Sequence, residues 1–145
     1  MKYFLLDTNV LLADVLDFHV HHTLARQWFT TQESDTIFYL PRVVQISFMR
    51  LLTSESVLKE DAVTNQKAIE VWEELMLDTR FQYLADKNYK LRKWPFLGNK
   101  QKRDPKLWMD GYLAGLAIEN SLVLVSLDKG FKKMKQDGLD LECLL

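Results

Sequence analysis

Tyr3-Phe4-Leu5-Leu6-Asp7-Thr8-Asn9 decides the fold. Two aromatics and two leucines form an apolar run too short for a helix, and it stops on a carboxylate. That pattern reads as a buried strand, Tyr3 to Leu6, ending at Asp7. The same pattern returns late in the chain: Leu122 to Leu127, rich in Val and Leu, is followed directly by Asp128. Thr36 to Leu40 and Phe81 to Leu84 read as two further strands, and Asp140 to Leu144 as a final edge strand.

The segments between carry helical spacing. Asn9 to Leu16 reads as a helix capped by Thr8 or Asn9. Val20 to Thr31 places Leu24, Ala25, Trp28 and Phe29 at helical intervals. A helix starts at Pro41, since proline is tolerated in a first turn, and it shows an apolar face of Val44, Phe48, Leu51 and Leu52. Thr64 to Thr79 repeats Ala68, Val71, Trp72, Leu75 and Met76. Residues 85–103, with Pro95 and Gly98, read as a loop. Asp104-Pro105 reads as a cap and first residue of a helix to about Asn120, and Lys129 to Gln136 as a short helix. Strands alternating with helices predict an α/β fold with a central, mainly parallel twisted sheet of 4–5 strands flanked by helices. The 145 residues suit one domain, 1–145.

Composition narrows the class. Apolar residues are 48% and charged residues 27%, a globular balance that excludes disorder and low complexity. One cysteine, Cys143, excludes an internal disulfide and a multi-cysteine zinc site, and predicts a reducing compartment. No run is long enough for a secretory signal or a membrane span, so the expectation is a soluble, cytoplasmic protein with no membrane partner. Net charge is −1, but residues 90–106 carry seven Lys or Arg against one acid, a local +6 that leaves −7 elsewhere. A basic patch beside an acidic body follows.

Ligands of open parallel sheets sit outside the carboxyl ends of the strands, where Asp7 and Asp128 fall. Bare carboxylates are costly to bury unless paired or bound to a cation. Mg²⁺ and Mn²⁺ take such hard oxygen donors. Asp110 is a third candidate. It precedes Leu113 by three residues and Ala117 by seven, on or beside the apolar stripe of its helix. A metal ligand and a hydrogen-bonded structural aspartate are both open readings of it.

Five motifs in order resemble the PIN-domain ribonucleases, specifically VapC-type toxins of prokaryotic toxin–antitoxin pairs. They are Leu5-Leu6-Asp7-Thr8-Asn9-Val10-Leu11-Leu12; His19-Val20-His21-His22 leading to Ala25 and Trp28; Phe48-Met49-Arg50-Leu51-Leu52-Thr53; Asp110-Gly111-Tyr112-Leu113-Ala114-Gly115-Leu116-Ala117; and Ser126-Leu127-Asp128-Lys129-Gly130-Phe131. The resemblance spans nearly the whole chain. It implies a three-layer PIN-like fold and an endoribonuclease with a Mg²⁺ or Mn²⁺ site. It places Asp7, Asp110 and Asp128 as metal ligands and catalytic acids. The family's further acid, on the helix after the second strand, corresponds to Gln45, a departure that removes one negative charge; Gln45 is still expected in the catalytic site, holding a metal-bound water or a phosphate oxygen. Asn9 and Ser126 stand two residues from the strand-end aspartates and are expected to hydrogen-bond them. The resemblance also implies a VapB-like antitoxin partner, a homodimer, and operator DNA contacts made by the antitoxin and not by this chain.

An RNA path is the expectation for the basic stretch, where Tyr89, Trp94 and Phe96 interleave with lysines. Lys100, Lys102, Arg103 and Trp108 are its candidate contacts, with Arg50 on another helix. The alternative for each is a solvated or packing role. His19, His21 and His22 are too closely spaced for a zinc cage and suit capping or packing. Trp28 and Phe29 suit either a partner surface or the core. Two other functions compete. One is a catalytically weak PIN scaffold that binds RNA or a protein, because of Gln45. The other is a phosphotransferase with Asp7 as nucleophile, which wants a second acid where Asn9 stands.

Overall fold

The computed structural model describes residues 1–86 and 103–145. Lys100 and Lys102 lie outside the described residues, as does most of the basic stretch with Tyr89, Trp94 and Phe96. The strands are β1 (Tyr3–Leu6), β2 (Ile37–Pro41), β3 (Phe81–Leu84), β4 (Val123–Ser126) and β5 (Asp140–Cys143). They form one sheet in the order β3-β2-β1-β4-β5, and all four pairings are parallel. The expected edge strand is β5, and the carboxyl ends of all five strands share one rim.

The helices are α1 (Thr8–Val15), α2 (His22–Thr30), α3 (Arg42–Leu52), α4 (Glu55–Leu58), α5 (Asn65–Leu75) and α6 (Lys106–Glu119), and a 3₁₀ segment spans Lys129–Asp137. Flanking the parallel sheet, they complete a three-layer α/β fold. Three helix starts differ from expectation. The cap of α1 is neither Thr8 nor Asn9 but Asp7, whose Oδ1 accepts from the Thr8 N–H at 2.7 Å. Pro41 still belongs to β2 and flanks α3, so the first helical residue is Arg42. Thr64 caps α5 by accepting from the Lys67 N–H at 3.2 Å. At α6 the N-cap is Pro105 and not Asp104, and the first helical residue is Lys106; Asp104, one residue earlier, still accepts from the Lys106 N–H at 3.2 Å.

The core is aromatic. Phe4, Phe38 and Phe81 line up on neighbouring strands, because each occupies the same register row. Trp28 and Phe29 of α2 close over them with ring centroids 4.9–5.7 Å from their nearest partners. Both are buried, Trp28 at 8% and Phe29 at 4% exposure. Their role is the core, not a partner surface. Aromatic pairs of this kind stabilise beyond area burial, by about 0.5–1.5 kcal/mol each.

One turn matters for the rim. α6 ends in a Schellman motif: the Leu122 N–H donates to Ala117 O at 2.8 Å and the Ser121 N–H to Ile118 O at 3.2 Å. Ser121 takes the left-handed conformation, φ 53°, that this motif needs. The chain therefore reverses at once from α6 into β4. That reversal sets Asp110, at the start of α6, near the carboxyl end of β4.

Candidate active site

Asp7 and Ser126 come together because β1 and β4 are neighbours. Leu6 pairs with Val125, so the next residues share a row at the rim, and the Asp7 N–H donates to Val125 O at 3.0 Å. The Ser126 hydroxyl donates to Asp7 Oδ2 at 2.7 Å. Its oxygen accepts from the Asp128 N–H at 2.9 Å and from Asn9 Nδ2 at 3.3 Å. A hydroxyl has one proton and two lone pairs, so Ser126 is fully used and its proton is committed to Asp7. Asn9 Oδ1 in turn accepts from the Leu127 N–H at 3.1 Å. Of the two positions expected to hydrogen-bond the strand-end aspartates, Ser126 does so; Asn9 reaches neither carboxylate and instead bonds Ser126 and the Leu127 N–H, tying β1–α1 to the loop after β4.

Asp128 is held from two sides. Its Oδ1 accepts from the Gly130 N–H at 2.7 Å, and its Oδ2 accepts from Lys106 Nζ at 2.9 Å. A Cβ at Gly130 would stand 2.9 Å from that same Oδ1, so glycine is what allows this close approach.

The three aspartates feel one another. Burial pushes the Asp7 carboxyl up to about 6, with Ser126 and Thr8 opposing and the charges of Asp110 and Asp128 adding to the rise. Asp110 is raised as well, first by burial and then by the charge of Asp128, while the Lys106 charge lowers it. Asp128 moves the other way, because Lys106 and the Gly130 N–H stabilise its charged form. This rim thus carries three carboxylates that act on one another, with the ammonium of Lys106 on Asp128 and the charge of Lys133 lowering both Asp110 and Asp128.

Their fit to a divalent cation follows from this chemistry. The donors are hard oxygens, Asp7 and Asp110 are pushed up by burial and by neighbouring carboxylates, with Lys106 and Lys133 offsetting part of the rise at Asp110, and the ammonium of Lys106 sits on Asp128. Among the described residues no three His, Cys, Asp or Glu side chains are set closely enough to enclose an ion. The oxygens are of the kind a divalent cation takes, and Lys106 occupies Asp128 Oδ2. Lys106 is the site residue that sequence reasoning missed. It was one lysine of a basic stretch, though its i,i+4 spacing to Asp110 signals a neighbour on the same helix face.

Gln45 is engaged elsewhere. Its Oε1 accepts from Arg42 Nη1, and its Nε2 donates to the Tyr83 hydroxyl at 3.3 Å. Arg50 is exposed in the last turn of α3, with Met49, Thr53, Asn65 and Ile69 around it. It lies five residues beyond Gln45, about 7.5 Å further from the rim along the helix axis. Arg103 and Trp108 are exposed at the start of α6, the latter at 53%. His22 Nδ1 bonds the Ala13 carbonyl at 2.8 Å and His19 Nδ1 accepts from the His21 N–H at 3.0 Å. These are packing and capping roles. Cys143 is half-buried in β5.

Asp86, just beyond β3, adds another carboxylate near the rim. It hydrogen-bonds Tyr112, whose phenol is pushed up to about 12 by burial and by that charge.

The PIN domain family model matches residues 4–136. The chain is 33% identical over 144 residues to Ribonuclease VapC41 of Mycobacterium tuberculosis, covering 97% of each. It is 30% identical over 137 residues to Ribonuclease VapC25 of the same organism, covering 90% of this chain and 92% of that one. Among solved structures, the crystal structure of DNA-bound VapBC from Salmonella typhimurium matches with a TM-score of 0.64 and 20% identity over 100% of both chains. VapBC2 from Rickettsia felis bound to a promoter DNA fragment matches with a TM-score of 0.64 and 19% identity over 98% of both. At these identities the solved structures bear on the fold.

Proposed function

The chain belongs to the PIN-domain family as a VapC-type ribonuclease toxin, and from that premise we propose that its acidic rim hydrolyses RNA phosphodiesters with Mg²⁺ or Mn²⁺. The observation that carries the reading is the geometry at the carboxyl ends of β1 and β4, where one hydroxyl, Ser126, donates to Asp7 Oδ2 at 2.7 Å and accepts from the Asp128 N–H at 2.9 Å, with Asp110 of α6 beside them. A divalent cation supplies charge neutralisation at the phosphate and a more acidic water. Asp7, Asp110 and Asp128 would hold it.

The remaining roles belong to the chain itself. Ser126 and Asn9 keep Asp7 and the Asp128 backbone in fixed relation, so the Asp7 carboxylate is already oriented when substrate arrives. Lys106 holds Asp128 in the absence of a cation. Its long stem lets the ammonium turn to a phosphate oxygen once Asp128 is released. The expected products carry a 5′-phosphate and a 3′-hydroxyl. The antitoxin, a VapB-like protein, covers the acidic rim and supplies the DNA contacts; the toxin pairs with a second copy and works in the cytoplasm. No helix among the described residues is long and apolar enough to cross a membrane.

A second reading, a weakly catalytic PIN scaffold, is favoured by one observation: Gln45 is tied to Arg42 and Tyr83 and brings no charge to the rim. One experiment separates the two. Purified, antitoxin-free protein is given a mixed RNA pool with Mg²⁺, with Mn²⁺ and with EDTA, beside Asp7→Ala and Gln45→Glu. Metal-dependent cutting that vanishes in Asp7→Ala supports the nuclease. Cutting by Gln45→Glu alone supports the scaffold, and cutting that survives in Asp7→Ala refutes the metal assignment.

A further inference from the structure

We propose that Arg42 and Tyr83, braced by Gln45, form an RNA subsite beside the acidic rim, where the guanidinium takes a backbone phosphate and offers its flat face to a base. The proposal rests on the nuclease reading above.

The register places the subsite. Tyr3 pairs with Ile37 and Leu5 with Tyr39, so Asp7 falls level with Pro41, and Pro41 pairs with Leu84. Arg42 therefore leaves β2 one strand away from Asp7, and Tyr83 stands one strand beyond. Neighbouring strands are about 4.8 Å apart, so the subsite is about 10 Å from the Asp7 backbone. A nucleotide next to the scissile bond reaches that far.

Its chemistry suits single-stranded RNA. The Arg42 guanidinium lies 4.8 Å above the centre of the Tyr83 ring and donates to Gln45 Oε1. The Tyr83 oxygen accepts from Trp72 Nε1 at 3.0 Å and from Gln45 Nε2 at 3.3 Å. Both its lone pairs are then taken, and the O–H is left to donate outward. Arg42 is exposed and Tyr83 is 48% exposed, yet the ring is anchored through the buried Trp72. Little side-chain freedom remains to be lost on binding. Phosphate charge and base stacking together are what single strands require, and guanidinium planes serve as stacking platforms.

Gln45 gives the arrangement its sign. Among the described residues no carboxylate lies within ion-pair distance of Arg42. A carboxylate at position 45 would accept the same hydrogen bond and cancel the guanidinium charge. The neutral amide orients Arg42 and leaves that charge for a phosphate. Gln45 is thus a positioning residue of an anion subsite.

The test measures anisotropy of a labelled, mixed-sequence single-stranded RNA in EDTA across a salt series. Mn²⁺ calorimetry, cleavage kinetics and melting curves accompany it. Arg42→Gln is expected to weaken RNA binding about tenfold and to lower the salt slope by about 0.7, the value for one single-strand phosphate. KM rises, while kcat and Mn²⁺ affinity hold. Gln45→Glu, which pairs Arg42, is expected to weaken RNA binding as Arg42→Gln does. Tyr83→Phe keeps the stack and loses less than Tyr83→Leu. A wild-type protein that cuts RNA, with Arg42→Gln showing an unchanged slope and KM, overturns the subsite alone. So does Gln45→Glu that gains Mn²⁺ affinity at unchanged RNA affinity, because position 45 is then a vacated metal ligand. A wild-type protein that neither binds nor cuts RNA with either metal overturns the nuclease reading itself.

Discussion

Ser126 donates its hydroxyl proton to Asp7 Oδ2 at 2.7 Å, joining residues 119 positions apart at the rim of the sheet. The same oxygen accepts from the Asp128 N–H. One buried hydroxyl therefore sets the spacing between two of the three acids. Removing it in Ser126→Ala leaves a buried acceptor and two N–H donors without their partner, a cost of about 1–3 kcal/mol. Metal affinity should fall by about 10–100-fold, the usual effect of losing a group that orients a ligand. Mn²⁺ calorimetry and thermal melts check both, and unchanged Mn²⁺ affinity would argue against Ser126 as an organiser.

Asp7 should trade stability for function. Its carboxyl is raised from 3.8 to about 6 in the folded protein, so the fold binds a proton more tightly than the unfolded chain. Below the unfolded value both states are protonated and the group contributes nothing. As pH climbs from about 4 to about 6, the unfolded chain ionises first and stability falls. Above the folded value the full cost remains, at most about 3 kcal/mol for a shift of this size. Asp7→Asn in metal-free protein should flatten that pH dependence and melt higher at pH 7. The gain is reduced because the amide keeps one acceptor oxygen where the carboxylate uses two, for Ser126 and for the Thr8 N–H. Cleavage should disappear. Chemical denaturation from pH 4 to pH 7 is the measurement, and equal slopes for the two proteins would refute the account.

Gly130→Ala should damage the site without damaging the fold. The nearest atoms to the added Cβ belong to the Asp128 carboxylate, with Oδ1 at 2.9 Å, and that carboxylate can swing away. Surface substitutions of this kind stay within about 0.5 kcal/mol. The moved carboxylate, however, loses the Gly130 N–H, and Mn²⁺ affinity and cleavage should drop by about tenfold or more. A variant that melts normally and cuts normally would show that the position of Asp128 is unimportant.

Lys106→Met should do the opposite to metal binding. The ammonium pairs with Asp128 at 2.9 Å but is itself largely exposed, so the pair is worth up to about 1 kcal/mol. Without it, Mn²⁺ should bind about two- to fivefold tighter in the absence of RNA. The melting temperature should hardly change. Weaker Mn²⁺ binding in this variant would mean that Lys106 supports the carboxylate rather than competes for it.

The sequence by itself determined the parallel sheet and the carboxylates at its rim. Both are local: a strand buried on both faces is a short apolar run, and Asp7 and Asp128 are the next residues in the chain. The bounds of β1 and β3 match the strands expected from the sequence residue for residue. The helices shift by a few residues, since periodicity marks a face and not an end. Only the tertiary structure decided how the rim is wired. That Ser126 spends its proton on Asp7, that Lys106 closes on Asp128, and that Gln45 turns to Arg42 and Tyr83 all depend on which strands lie side by side. Trp28 and Phe29 show the same limit, because helical spacing cannot say whether an aromatic face meets a partner or the three phenylalanines of its own sheet. Short-range chemistry writes strands and their terminal charges into the chain. Contacts between residues a hundred positions apart are settled only when the sheet brings them together.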